Sequence, residues 1–147
     1  MSEVNRSESL ASIVDWFEGL SPETLASIDH IYASNAHFKD PFNDVVGVGH
    51  IRAIYAHMFD NLTEPAFEIT QTIEQGLQAF VAWRFTFRWR AKAFDIPGCT
   101  QMTLNEKGLI VDHVDYWDVA QGLYERLPLL GVVLRKLRGR MAAVSSA

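Results

Sequence analysis

The chain has 147 residues, of which 48% are hydrophobic, 21% charged and 12% aromatic. This length suits one compact domain, and the apolar, non-repetitive composition excludes a disordered chain, a fibre or a solenoid. The formal net charge is -5, from 13 basic and 18 acidic residues. An acidic body argues against a nucleic-acid partner, because neutralising phosphates requires a basic face.

Cysteine content and hydropathy predict where the protein resides. The single cysteine, Cys99, has no partner for an internal disulfide, which fits a reducing compartment. Residues 1–8 are polar and lack the apolar core of a signal peptide. The longest apolar run, residues 127–134, is far shorter than the roughly 18 residues that a membrane span needs. We therefore expect a soluble, cytoplasmic protein.

The first part of the chain predicts three helices and one short strand. Apolar residues at spacings of three and four indicate the helices, and a Ser-Pro pair gives the second one a typical start. The strand is short because Pro41 ends it. In chain order, the elements are a helix over 7–20, a helix over 21–32, a strand over 36–40 and a helix over 51–62.

From Pro65 the hydrophobic period changes to two, which indicates strands. The predicted strands cover 67–76, 78–91, 100–104 and 109–118, with a break at 95–98 and a hairpin turn at 105–108. The second strand is the clearest, and its apolar face carries Val81, Trp83, Phe85, Phe87 and Trp89. Two helical stretches, separated near Pro128, end the chain. Helices followed by a run of strands are typical of an α+β fold with helices on one face of the sheet.

Asp40 is the first candidate for chemistry, because it ends the predicted short strand among Phe38, Pro41 and Phe42. Apolar neighbours disfavour a charged carboxylate, and this makes an acid usable as a proton shuttle near neutral pH. The alternative is that Asp40 and Pro41 only form a turn, which is a very common use of this pair. Spacing alone favours the turn.

A second candidate group consists of His113, Asp115 and Trp117, which alternate along the last strand and share one face. If that face is inside, an imidazole and a carboxylate stand together above an apolar cavity and form a general acid–base pair. If it is outside, the strand is an edge whose charges point to water. Apolar residues at 111 and 117 favour the inside.

Motifs for metal and cofactor binding are not found. The chain has no HExxH motif and no paired cysteines, and the remaining histidines fall on other elements. Gly47-Val48-Gly49 lacks the third glycine and the βαβ unit of a dinucleotide site. We therefore expect neither a metal nor a cofactor. Trp16 and Tyr55 lie on apolar helix faces, where each is either a core residue or part of a pocket.

Three segments carry a family resemblance: residues 32–41, Gly47 with residues 51–55, and the strand 114–118. Together they resemble the nuclear transport factor 2-like superfamily, in its SnoaL-like and ketosteroid isomerase-like branch. The resemblance implies a curved antiparallel sheet wrapped against the N-terminal helices to form a conical pocket, as in a cystatin-like α+β barrel. It also implies a homodimer. The SnoaL-like domain is expected over residues 1–120, followed by a basic amphipathic tail over 121–147.

The resemblance also suggests roles for individual residues. In ketosteroid isomerases an aspartate matching Asp40 shuttles a proton, so Asp40 is the expected general base, and Tyr55 matches the tyrosine of their third helix. Trp16 and Thr100 stand where that family has its two oxyanion-hole donors. Without those donors an enolate is poorly stabilised, and steroid isomerisation is not expected.

Three functions stay open. The first is an isomerase, cyclase or dehydratase that moves a proton on a small, apolar carbonyl compound, with Asp40 as base and His113 and Asp115 polarising or reprotonating it. The second is a non-catalytic binding protein for a lipid-like ligand. Both use the same predicted binding residues, which are Trp16, Tyr55, Trp83, Phe85, Thr100 and Trp117.

The third function is a dimeric interaction module. Residues 119–147 carry one acidic residue, Glu125, against five basic ones, and apolar residues recur at spacings of three and four. Such a basic amphipathic helix binds an anionic membrane surface or a partner groove. Packing of this tail on its own domain or on a dimer mate is the favoured interpretation.

Overall fold

A curved six-stranded sheet, covered on its concave side by helices, forms the frame of the molecule. The computed structural model describes residues 3–142, and residues 143–147 of the predicted tail lie outside the described part. The strands are β1 Tyr32–Lys39, β2 Asp44–Val46, β3 Thr63–Gln75, β4 Gln78–Trp89, β5 Lys92–Leu104 and β6 Ile110–Tyr116. The helices are α1 Glu3–Glu18, α2 Val48–Asn61, α3 Val119–Gly122 and α4 Pro128–Met141, with 3₁₀ helices at Thr24–His30 and Tyr124–Arg126.

The strand order is β2-β1-β6-β5-β4-β3, and the α+β prediction is confirmed. The expected curved sheet is present, and it is unclosed because the edge strands β2 and β3 do not pair. Neighbouring strands run antiparallel, as expected, except for β1 and β6, which run parallel. These two strands are far apart in the sequence, with Tyr32 opposite Ile110. No local turn predicts such a contact.

The alternation predicted for β4 is confirmed. Val81, Trp83 and Phe87 are buried, whereas Arg84 and Arg88 on the other face are exposed. The apolar face packs against α1 and α2, whose buried residues come from the predicted periodic positions. Burying this aromatic face away from water is the main contribution to the stability of the sheet–helix layer.

The predicted break at 95–98 is wrong, because β5 continues through these residues. Pro97 pairs with Arg84 of β4 on one side, but β6 reaches only as far as Tyr116, which lies opposite Cys99. The segment that contains Pro97 is therefore an edge, where a strand tolerates a residue without a backbone N–H.

Two elements begin or end differently from the prediction. The predicted second helix is a 3₁₀ helix over Thr24–His30, preceded by reciprocal hydrogen bonds between Ser21 and Thr24. Strand β1 then starts at Tyr32, four residues earlier than the short strand expected at 36–40. Tyr32 is thereby a strand residue that is buried beneath the helices.

The C-terminal helix α4 begins with Pro128 at its first turn, as its sequence predicts. Arg138 forms an ion pair with the buried Glu125 at 3.0 Å, and Gly131 lies against the Glu125 backbone. The opposite side of α4 exposes Leu129 and Val133. No helix within residues 3–142 is long and apolar enough to cross a bilayer.

Candidate active site

A cavity of about 290 Å³ lies between α2 and the concave face of the sheet. A smaller cavity of about 30 Å³ lies next to it, and the two share Tyr55, Phe67, Trp83 and Asp115 as lining residues. The wall of the larger cavity is mainly aromatic and includes Phe38, Phe42, Phe67, Trp83, Phe85, Phe87, Trp89 and Trp117. Two carboxylates, those of Asp40 and Asp115, interrupt this apolar surface.

Strand β6 turns His113 and Asp115 toward the concave side. His113 is 2% exposed, and its Nε2 lies 2.7 Å from Oδ1 of Asp115. Thr100 on the neighbouring strand donates a hydrogen bond to the same oxygen at 2.6 Å, and Trp83 Nε1 donates to the Thr100 hydroxyl at 2.8 Å. Oδ2 of Asp115 accepts no hydrogen bond from any residue within 5–142. One oxygen of this carboxylate is thus fixed by two donors, and the other is free.

The His113 ring extends the network on its other side. Its Nδ1 lies 2.9 Å from the Tyr32 hydroxyl, which lies 2.9 Å from the Tyr55 hydroxyl. Burial raises the pKa of both tyrosines well above the ordinary value, and the nearby Asp115 carboxylate raises the pKa of each further. Both groups are therefore neutral hydroxyls at physiological pH, able to donate and to accept.

The direction of each hydrogen bond follows from the carboxylate, which only accepts. His113 Nε2 donates to Asp115, so in a neutral imidazole Nδ1 is an acceptor and receives the Tyr32 proton. Tyr32 in turn accepts from Tyr55. Among the described residues no buried side-chain nitrogen or oxygen atom lacks a hydrogen-bond partner, so this chain from Tyr55 to Asp115 is internally satisfied.

Asp40 also lines the larger cavity, and its carboxylate organises a turn. Oδ1 accepts hydrogen bonds from the backbone N–H groups of Phe42 at 2.8 Å and Asn43 at 2.6 Å. The Asn43 side-chain amide lies 3.1 Å from both carboxylate oxygens. The turn-forming interpretation of Asp40 is confirmed by these contacts, and its role as a general base stays a prediction.

The structure brings together most of the predicted binding residues. Tyr55, Trp83, Phe85 and Trp117 line the larger cavity, and Thr100 lines the smaller one. Trp16 lines neither and is a core residue, with its indole N–H directed to the Thr24 carbonyl at 3.2 Å and to Ser27. Its ring packs edge-on against Tyr55, so it supports the cavity wall from behind.

Sequence reasoning missed Tyr32 as a part of this site. The helical spacing of Leu25, Ile28 and Ile31 predicts that Tyr32 ends a helix, whereas the structure places it in β1, where it links His113 to Tyr55. A buried tyrosine hydroxyl requires a partner, but the sequence does not reveal which one.

Gly98 fixes the position of the Trp83 ring within the wall. The two residues are opposite each other in the β4–β5 ladder, and a Cβ atom on residue 98 would overlap the Trp83 ring. The close approach of the ring to the β5 backbone thus requires glycine here, and it directs the indole N–H to Thr100.

A further histidine, His37, lies apart from the cavities. Its Nε2 lies 2.7 Å from Asp44 on β2, and its Nδ1 lies 2.6 Å from Asp112 on β6. The hydrogen bond to Asp44, and then that to Asp112, raise the pKa of His37. No group of three or more His, Cys, Asp or Glu side chains in the described part of the chain is arranged to hold a metal ion.

A family model described as a SnoaL-like domain matches residues 13–113. The chain belongs to the SnoaL-like domain family. The match covers α2, which lines the cavity, and the strands up to His113. No curated protein matches the chain.

Solved structures of the same fold show how far the likeness extends. A protein from Jannaschia named as a SnoaL-like polyketide cyclase is 16% identical, with a TM-score of 0.70, covering 82% of this chain and 92% of its own. A ketosteroid isomerase-like protein from Catenulispora acidiphila, solved with trimethylamine, is 16% identical, with a TM-score of 0.67 and coverages of 79% and 89%. An LEH-like epoxide hydrolase from M. tuberculosis is 12% identical, with a TM-score of 0.66 and coverages of 94% and 96%. These identities establish a shared fold.

Proposed function

We propose that this SnoaL-like protein catalyses a proton transfer on a small, mostly apolar carbonyl compound by general acid–base catalysis. The observation that carries the proposal is the Asp115 carboxylate, which lines an aromatic cavity with one oxygen fixed and the other free. A ligand that fills the aromatic cavity displaces water from that oxygen and strengthens the interaction of the oxygen with a bound proton donor. The reactions that fit are isomerisation, cyclisation and dehydration.

Asp115 is the proposed base, and His113 is the group that holds it. The imidazole N–H and the Thr100 hydroxyl hold Oδ1 of the carboxylate, which leaves Oδ2 available to take a carbon-bound proton from a ligand. Fixing a catalytic group in one geometry lowers the entropic cost of reaching the transition state. Proton transfer by such a group accelerates a reaction by about 10²–10⁴-fold.

Tyr55 is the proposed hydrogen-bond donor to the carbonyl oxygen. Its hydroxyl is neutral because burial raises its pKa, and it lines the cavity, so the O–H can turn from Tyr32 to a ligand oxygen. The negative charge that develops on the oxygen is then stabilised by a neutral donor in an apolar site. The hydroxyl chain thereby links the donor at one end to the base at the other.

Asp40 is the second candidate for the base, since it lines the same cavity and holds the position expected from the family resemblance. Its carboxylate receives four hydrogen bonds in its turn, whereas that of Asp115 receives two. The hydrogen bonds of Asp40 occupy both of its carboxylate oxygens, whereas Asp115 leaves Oδ2 without a protein donor, and this favours Asp115 as the group that meets a ligand.

Hydrogen–deuterium exchange tests the proposal without knowledge of the natural substrate. Aromatic ketones of graded size, such as 2-indanone and 2-tetralone, are incubated with the protein in D₂O, and loss of the proton signal next to the carbonyl is followed by NMR. We expect the wild type to accelerate exchange for at least one ketone, and Asp115→Asn to remove about 99% of that rate. Exchange no faster than with heat-denatured protein across the series would overturn the proposal.

A binding protein for a lipid-like ligand is the second candidate function. It is favoured by the internally satisfied hydrogen-bond chain, which needs no substrate to pair its buried polar atoms. Native mass spectrometry of the protein purified without added ligand separates the two functions. A tightly retained apolar molecule together with no exchange activity supports binding, whereas an empty cavity with exchange activity supports catalysis.

A further inference from the structure

Three cations lie beside the aromatic wall of the larger cavity without lining the cavity themselves. Arg90 lies in the turn between β4 and β5, Lys92 begins β5, and Arg126 ends the 3₁₀ helix that follows α3. We call these three residues the cationic rim. All three are exposed, and none forms an ion pair with a described carboxylate. Other described cations, such as Arg88 and Arg140, also lack a described carboxylate partner, so the rim is distinguished by its position beside the cavity.

The cationic rim is connected to the cavity through aromatic rings. The Arg90 guanidinium lies 4.6 Å above the Trp89 ring, and Trp89 lines the cavity. The Arg126 guanidinium lies 4.5 Å above Phe94, whose ring stacks at 4.9 Å on the cavity residue Phe87. Stacking on a ring fixes the plane of a guanidinium and leaves its N–H edge free to bind an anion.

Lys92 brings the two arginines into one group. It lies opposite Trp89 in the β4–β5 ladder, and its Nζ lies 3.5 Å from the Arg126 carbonyl oxygen. Glu125, the neighbouring carboxylate in sequence, is buried and paired with Arg138, so it does not neutralise Arg126. Unpaired like charges held together raise the free energy of the protein, and an anion placed between them lowers it.

The turn that carries Arg90 is an independent observation. Arg90 and Ala91 both have positive φ values, 50° and 63°, as a two-residue turn of this type requires. Such turns favour Asn and Gly, and a bulky side chain in this conformation costs free energy. Backbone strain of this kind is found preferentially at functional sites, and here it lies next to the cavity residue Trp89.

We propose that the cationic rim binds an anionic group, a carboxylate, sulfonate or phosphate, of an amphiphilic ligand whose apolar part occupies the cavity. The orientation follows from the charges, because Asp40 and Asp115 repel an anion from the interior while the rim attracts it. This inference rests on the cavity being the ligand site of the proposed function. It does not require that the ligand be turned over.

A matched pair of fluorescent probes tests the rim directly. 8-Anilinonaphthalene-1-sulfonate and N-phenyl-1-naphthylamine share one aromatic body, and only the first carries a sulfonate. We expect Arg90→Gln combined with Arg126→Gln to weaken binding of the sulfonate probe about tenfold. Binding of the uncharged probe is expected to change less than twofold, which also shows that the cavity is still folded.

The control is Lys136→Gln combined with Arg140→Gln, which removes the same charge from the exposed side of α4. Helix α4 also exposes apolar residues and is the competing site for a sulfonate probe. The proposal is overturned if this control weakens the sulfonate probe as much as the rim variant does, or if the rim variant weakens both probes equally. Asp115→Asn is expected to bind the sulfonate probe at least as tightly as the wild type, because the substitution removes one of the two charges that repel an anion. A negative result in the exchange assay therefore does not contradict anion binding at the rim. A negative result in the probe assay likewise does not contradict catalysis.

Discussion

His113 Nε2 lies 2.7 Å from Asp115 Oδ1, and both side chains point from one strand into the concave side of the sheet. Because His113 is almost fully buried and Asp115 lines the cavity, the pair joins the interior network to the ligand space. Substitutions of the residues in this network therefore distinguish residues that act in catalysis from residues that only stabilise the fold.

His113→Gln tests whether the imidazole positions the Asp115 carboxylate. The substitution removes a charge-assisted hydrogen bond to Asp115, so we expect the deuterium-exchange rate to fall about 10–100-fold. Thr100→Val is the comparison variant, because it removes the other donor to the same oxygen and keeps the imidazole. It is expected to lower the rate as well, because both donors hold the same oxygen. A His113→Gln protein that exchanges as fast as the wild type would contradict this role.

Tyr32→Phe interrupts the hydroxyl chain between His113 and Tyr55. Because both neighbours lose a buried partner, we expect the free energy of unfolding, measured with urea, to fall by about 1–3 kcal/mol. Tyr116→Phe removes the same atom from a side chain that is 57% exposed and is expected to change stability little. Equal effects of the two substitutions would show that the buried hydrogen-bond chain contributes nothing to the free energy of unfolding.

Gly98→Ala tests the close approach of Trp83 to β5. The new methyl group overlaps the indole, so we expect a loss of about 1–3 kcal/mol in unfolding free energy and weaker binding of the uncharged naphthylamine probe. Gly49→Ala is the matched control, since a Cβ atom there meets nothing within 4 Å. Its stability is expected to stay level or to rise by up to about 1 kcal/mol, because alanine favours a helix. A Gly98→Ala protein as stable as this control would contradict the packing described.

His37 predicts a pH dependence of stability. Hydrogen bonds to Asp44 and Asp112 raise the pKa of His37 in the folded state. The contribution of His37 to the free energy of unfolding is therefore fully present below about pH 6.5 and is lost as the pH rises through the raised pKa. We expect the stability difference between wild type and His37→Gln to shrink between about pH 6 and pH 9. Asp44→Asn is expected to remove part of the same dependence. A difference that grows with pH would contradict this assignment.

The sequence could predict those features that depend on local periodicity. Alternation along β4 and helical spacing around Tyr55 correctly placed the aromatic wall, since burial of one face leaves a repeating pattern in the chain. Pro97 misled the prediction of β5, because whether a proline is tolerated depends on where the neighbouring strand ends. The pairing of β1 with β6 and the link from Tyr32 to His113 join residues more than 70 positions apart, and local patterns carry no information about such contacts.

Local periodicity also limits what the sequence can predict about the candidate site. Alternation put His113 and Asp115 on one face, and only the fold decides that this face is the inner one. Trp16 was predicted to bind a ligand, but the 3₁₀ helix supplies its indole partners and keeps it in the core. Its role could not be read from the apolar face of α1 alone.

The most direct test of the central claim compares Asp115→Asn with Asp40→Asn in the deuterium-exchange assay, using the ketone that the wild type exchanges fastest. The two substitutions remove the same charge from the same cavity, so a general electrostatic effect would lower both rates alike. We expect a loss of about 100-fold or more for Asp115→Asn and less than about tenfold for Asp40→Asn. An Asp115→Asn protein that exchanges like the wild type, together with an inactive Asp40→Asn protein, would show that Asp40 is the base.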